Sequence, residues 1–118
     1  MSDRVTLLVE FEIRPGRLDD FKAAVHALRS VVGEQEPGTL TYEWWLSEDA
    51  RRGASIEIFA DSDALVRHMG GDPTLSAKLT DAAAVASLKV LGELTVAARA
   101  SIEAAATGFY SRLGGIER

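Results

Sequence analysis

An α+β fold of ferredoxin-like type, an antiparallel sheet with helices on one face, is predicted for this 118-residue chain by three observations. A period-two segment comes first. An apolar stripe of helical spacing follows it. Two more alternating segments then precede a second helical pattern and a fourth short apolar run. The order is therefore strand, helix, two strands, helix and strand, with an additional helix and a tail.

Val5, Leu7, Val9, Phe11 and Ile13 alternate with Thr6, Leu8, Glu10 and Glu12, which predicts a first strand with one apolar face. Pro15 and Gly16 stop it. Leu18, Phe21, Val25, Leu28 and Val32 recur at spacings of three and four, the stripe of an amphipathic helix that Asp19 could cap. Gly33 and the Pro37, Gly38 pair are expected to end that helix. A second strand follows over Thr39 to Leu46, with Leu40, Tyr42, Trp44 and Leu46 on one face and Thr41, Glu43 and Trp45 on the other. The polar stretch from Ser47 to Gly53 reads as the turn of a hairpin into the third strand.

That third strand shows Ala54, Ile56 and Ile58 on one side and Glu57 and Phe59 on the other. Asp61, Ser62 and Asp63 start a helix that carries Leu65 and ends at His68. Gly70 and Gly71 break it, and Asp72 followed by Pro73 reads as a new cap with proline at the first helical position. The next helical piece is expected to carry Leu75, Leu79, Ala82 and Ala86. Leu88 to Leu91 reads as a fourth strand before Gly92. The alanine-rich Thr95 to Ala106 has high helix propensity, and the tail from Phe109 to Arg118 could hold a last short strand.

The length suits one domain over residues 1–118 with one core. Net charge is −5, with acids concentrated in the first two thirds, and no basic cluster follows a phosphate backbone, so nucleic acid is not an expected partner. With no cysteine, thiolate nucleophiles, disulfides and Cys-ligated metals are excluded, and a reducing cytoplasm is the natural compartment. No apolar stretch approaches the roughly 20 residues that span a bilayer, and Met1, Ser2, Asp3 and Arg4 lead straight into the first strand, so neither a membrane nor a leader is expected. One sheet face must carry Leu8 and one of the two tryptophans away from the helices, which marks a partner surface and predicts a homodimer with sheets packed face to face.

Chemistry concentrates where Glu57, Phe59 and the His68 imidazole can converge as the helix folds back over the sheet. His68 is the candidate acid/base group, and the competing reading is a histidine that interacts with its own helix C-terminus. Glu57 is read either as its orienting carboxylate or as the ion-pair partner of Arg67 or another base. Tyr42, Trp44 and Phe59 are candidate aromatic walls for a flat substrate, or else core and interface residues. His26 is expected in solvent, and two histidines on separate elements give no metal centre. Gly70 and Gly71 form a hinge that could let Met69 to Leu75 act as a lid.

Several short segments together resemble the antibiotic biosynthesis monooxygenase family of dimeric α+β barrels. They are Arg14, Pro15, Gly16 after the first strand, the Pro37 to Tyr42 entry to the second, Glu57, Phe59 and His68 at their spacing, Val90 to Ala100, and Phe109 to Gly115. The resemblance implies a barrel made by two subunits and a pocket between helices and sheet. It also implies, for some members, oxidation of phenolic or quinol-like substrates by O₂ with no flavin, metal or haem. In this chain Phe59 stands where the family often has tryptophan, and the first strand lacks the asparagine of haem-degrading members. Three functions follow: a cofactor-independent monooxygenase with His68 and Glu57 in catalysis and Tyr42, Trp44 and Phe59 binding a small aromatic substrate; a non-catalytic binding or sensing dimer for a hydrophobic metabolite; or a small-molecule isomerase.

Overall fold

The computed structural model describes residues 3–118, so the expectation for Met1 and Ser2 lies outside the described residues. The elements run β1 (Val5–Ile13), α1 (Leu18–Gln35), β2 (Thr39–Leu46), β3 (Arg52–Phe59), α2 (Ser62–Met69), α3 (Pro73–Ala82), β4 (Ala83–Leu91), α4 (Val96–Ile102) and β5 (Gly108–Tyr110). They build a five-stranded sheet of order β2-β3-β1-β4-β5, antiparallel except that β5 joins β4 in parallel. This is the ferredoxin-like α+β arrangement predicted, with one parallel strand added at the edge.

Register decides which side chains meet. Val5, Leu7, Val9 and Phe11 lie opposite Phe59, Glu57, Ser55 and Gly53 of β3, and Leu7 and Val9 also face Val90 and Leu88 of β4. Because opposite residues share a face, all of these point to the helix layer. Of these, Val5, Leu7, Val9, Phe11, Phe59, Leu88 and Val90 join Phe21, Leu65, Leu79, Ala98 and Ile102 in one hydrophobic cluster, over which α1 packs on α3 and α2 on α4. The other face carries Leu8, Ile56, Ile58 and Trp45 and has no helix over it; Trp45 is 55% exposed there. The two tryptophans do take opposite faces, and it is Trp44 that turns inward.

Several boundaries differ from expectation, each for a physical reason. Helix α1 begins at Leu18 with Arg17 at its cap position and no side-chain cap, so Asp19 falls inside the first turn and acts only through its charge on the dipole. It also runs through Gly33 to Gln35, because packing of the helix outweighs roughly 1 kcal/mol of glycine cost. Pro37 then stops it. In the run Asp81 to Ser87, β4 starts at Ala83, five residues before Leu88, and Ala86 belongs to the strand. Pairing of Ala83 and Ala84 with Ile13 and Glu12 overrides alanine's helix propensity. Helix α4 is shorter than expected and is capped by Thr95 Oγ1. A bulge between Thr39 and Thr41 takes Leu40 out of the ladder and leaves it exposed.

Both predicted caps over the site are present. Asp61 accepts from the Ala64 N–H and starts α2, one residue longer than expected, and Asp72 accepts from the N–H groups of Thr74 and Leu75 ahead of Pro73. The C-terminal arm leaves β5 after Tyr110, anchored by the Arg99 guanidinium over the Phe109 ring at 3.8 Å, and Arg112 and Arg118 are exposed. No helix among the described residues is long and apolar enough to cross a membrane.

Candidate functional site

Three chain segments bring titratable groups to one point. Glu57 enters from the floor of the sheet, because its strand position points to the helix layer, and is 5% exposed. His68 comes down from the last turn of α2, a position its spacing from the Asp61 cap dictates. Glu36 arrives from the C-cap of α1, where the helix breaks ahead of Pro37. His68 Nε2 lies 3.1 Å from Glu57 Oε1, and Nδ1 lies 2.8 Å from Glu36 Oε1. One imidazole therefore bridges two carboxylates.

Each carboxylate has a second anchor. Ser55 Oγ donates to Glu57 Oε2 at 2.7 Å, and Thr39 Oγ1 donates to Glu36 Oε1 at 2.9 Å. Arg67, offered by the sequence as a partner for Glu57, is elsewhere: its guanidinium donates to the Gln35 carbonyl and ties the ends of α1 and α2 together. The basic group beside Glu57 is His68. Burial works to lower the His68 pKa, but the hydrogen bonds and charges of Glu57 and Glu36 together outweigh it and hold the ring above the ordinary 6.5. The imidazolium is favoured.

The aromatic residues surround this point in a row. Tyr42 lies edge-on to the His68 ring at 5.5 Å between centroids and to Trp44 at 5.6 Å, and Trp44 packs in turn on Phe11 and Phe21. Burial first, and then the charges of Glu57 and Glu36, push the Tyr42 phenol far above its usual range, an effect that the nearby Trp44 indole only partly counters. Tyr42 is a neutral donor. The Trp44 indole N–H has no well-aligned acceptor and, among the described residues, is the one fully buried side-chain polar atom without a hydrogen bond. Phe59, expected as a pocket wall, is fully buried instead and supports the His68 ring from behind at 5.1 Å.

A cavity of about 170 Å³ lies between sheet and helices, with Glu36, Glu57, His68, Tyr42 and Trp44 at one end. Leu7, Val9, Leu28, Leu79 and Leu88 make its apolar walls, and Met69, Gly71, Asp72 and Leu75 of the α2–α3 junction form its roof. No Lys or Arg is among the described residues that line it. A larger open groove of about 650 Å³ runs between α1 and β2 and shares Tyr42 and Trp44 with the cavity. Apart from Tyr42 its titratable groups are surface ones, Lys22, His26, Arg29 and Glu43, whereas the His68 cluster borders the smaller space. Among the described residues no group of His, Asp and Glu could hold a metal ion.

Glu57, His68, Tyr42 and Trp44 thus meet at one cavity, and Phe59 stands behind it. The residue that the sequence did not single out is Glu36, 32 positions from His68. A signal did exist: a carboxylate at a helix C-terminus opposes the dipole and calls for a local cation.

Comparison with known proteins agrees with this architecture. MupZ from Pseudomonas fluorescens superposes with a TM-score of 0.88 at 22% identity, over 100% of this chain and 91% of that one. SnoaB from Streptomyces nogalater, a cofactor-independent oxygenase, gives 0.67 at 16% identity over 80% and 97% of the two chains. Rv0793 from Mycobacterium tuberculosis gives 0.65 at 24% identity over 78% and 96%. No curated protein matches in sequence. The sequence profile of antibiotic biosynthesis monooxygenases matches residues 4–78, from β1 into α3 and so through every titratable group of the cluster. This chain belongs to the antibiotic biosynthesis monooxygenase family.

Proposed function

We propose that the chain, as a single domain over residues 1–118, is a cofactor-independent oxygenase acting on a compact phenolic or quinol-like ring. The observation that carries this reading is a carboxylate–imidazole–carboxylate cluster bordering a mainly apolar cavity. Such a site removes a proton from an activated position of the substrate without burying a new charge, because the proton passes from ligand to cluster inside the same cavity. The resulting carbanion or phenolate supplies electrons to O₂. For an activated methylene, one oxygen atom enters the product as a carbonyl and the other leaves as water with the two substrate hydrogens, so no external reductant is needed. Tyr42 and Trp44 are the neutral donors nearest the reacting end.

Volume narrows the substrate. A cavity of about 150 Å³ takes benzene, so this one suits a single ring, with a second ring reaching toward the roof. The walls favour a ligand that enters neutral, and an anionic sugar derivative finds no Lys or Arg among the described lining residues and a His68 already engaged by two carboxylates, which argues against the isomerase reading. The reading includes a cytoplasmic setting and a homodimer formed through the open sheet face around Leu8, Ile56 and Trp45. Oxygen uptake with one- and two-ring quinols tests it: turnover by wild type and its loss in the Glu57→Gln, His68→Gln double variant are expected, and absence of uptake by wild type would refute it.

A second reading draws on the same geometry. Both His68 nitrogens are already engaged, as in a rigid binding site, and a non-catalytic sensor would show ligand-dependent thermal stabilisation without oxygen consumption.

A further inference from the structure

We infer that Glu57, not His68, is the proton acceptor of this site, and that Glu36 is the positioning residue that makes it so by keeping both ring nitrogens of His68 protonated. The inference rests on the proton-transfer reading above but concerns a division of labour that can be measured without turnover.

Hydrogen-bond inventory supplies the first step. An ionised carboxylate only accepts, and a neutral imidazole has one N–H and one lone pair. With a carboxylate oxygen 2.8 Å from Nδ1 and another 3.1 Å from Nε2, a neutral ring would aim its lone pair at an acceptor's lone pairs. Both nitrogens must therefore donate while the carboxylates are ionised, and a ring in that state has no lone pair to take a proton. The base expected from the sequence is occupied.

The electrostatic surroundings keep it so. The groups that face the ring are Glu36 at the end of α1, Tyr42 of β2 and Glu57 and Phe59 of β3, with Asp72 at the roof of the cavity. Arg67, its neighbour on α2, is turned to the Gln35 carbonyl. Among the described residues the imidazolium is the one cation paired with the two adjoining carboxylates, so with both ionised the cluster carries one net negative charge. Losing the ring proton would bury a second.

The two carboxylates are not equivalent. Glu36 Oε1 accepts from both His68 Nδ1 and Thr39 Oγ1, and Glu36 borders the outer groove beside Pro37 as well as the internal cavity. Glu57 rises from the sheet floor opposite Leu7 and Tyr42, accepts from Ser55 through its other oxygen, holds the longer of the two contacts to the ring, and borders the internal cavity but not the outer groove. A proton that arrives there neutralises the cluster while the imidazolium remains beside the new substrate anion. Glu36 contributes by charge and by orienting the ring.

Nitrogen-15 NMR of His-labelled intact protein tests this directly, since the chain has two histidines and His68→Gln assigns the signals. Both His68 ring nitrogens are expected in the protonated shift range at pH 7.5 in wild type. In Glu36→Gln, which keeps an acceptor and removes a charge, the midpoint of the His68 titration is expected to move down. In kinetics, Glu57→Gln is expected to lower kcat by about 100-fold or more, whereas Glu36→Gln moves the pH limb of kcat/KM with a smaller loss at its optimum. A neutral His68 tautomer in wild type at pH 7.5 would overturn the inference whether or not the protein consumes oxygen. So would full turnover by Glu57→Gln alongside an inactive His68→Gln. Absence of turnover in every variant would sink the oxygenase reading alone, because the NMR result decides the charge assignment by itself.

Discussion

Replacing His68 with leucine removes the imidazole from between the buried Glu57 and the largely covered Glu36. From contacts of 2.8 and 3.1 Å and the width of an imidazole, the facing oxygens of Glu36 and Glu57 would be left roughly 7 Å apart, with a repulsion of about 2 kcal/mol at an effective dielectric of about 20. Loss of the two charge-assisted contacts adds to this, and the total falls in the range of about 3–5 kcal/mol typical of a broken buried ion pair. For a chain of this length that is a fall in Tm of about 12–20 °C. Urea denaturation at pH 7.5 and fixed protein concentration measures it. A second substitution gives the sign test: Glu57→Gln destabilises wild type but should restore about 2 kcal/mol to His68→Leu, because it removes one of the two stranded charges. If Glu57→Gln costs the same in both backgrounds, the cluster is not electrostatically coupled and the argument fails.

Three further outcomes follow from the same structure. Gly53→Ala places a methyl 2.6 Å from Phe21 Cζ in the packed core, so a loss of about 1–3 kcal/mol is expected on denaturation, and an unchanged midpoint would mean that Phe21 yields freely. His68 is held above its ordinary 6.5, so its contribution to stability is complete below that pH and is lost as pH rises through the higher folded value; Tm should decline above pH 6.5 in wild type and lose that component in His68→Gln. Leu8→Glu puts a charge in the middle of the open sheet face, and sedimentation equilibrium should show a weakening of self-association by about 100-fold or more, whereas an undisturbed dimer would move the interface elsewhere.

The sheet was legible because β1, β2 and β3 alternate cleanly, and the α2 and α3 caps because Asp61 and Asp72 each precede a helical stripe. The α3–β4 boundary was not. Alanines 82, 83, 84 and 86 carry no periodicity, and their state is decided by the partner strand β1, which local sequence does not reveal. Arg17 illustrates a smaller failure, since the helix start it marks lacks the side-chain cap on which such readings depend. In the site, Glu57 and His68 were accessible to reasoning because strand parity and helix spacing set their directions. Glu36 was not singled out, because the end of α1 drew attention only to Gly33 and the Pro37, Gly38 pair. The place of Glu36 depends on where α1 ends relative to α2, a tertiary distance that no short window encodes, and the same limit left Phe59 open between wall and core, of which the structure shows the core.

The placement of β2 at the margin of the sheet has a further meaning. It is hydrogen-bonded to β3 alone, and yet it carries Tyr42 and Trp44. The aromatic wall is therefore the least braced part of the chamber, and its amide hydrogens should exchange sooner than those of the doubly flanked β1. Any strand or segment that docked along this margin would stiffen the wall before touching a ligand. Assembly and ligand uptake would then share one mechanical element.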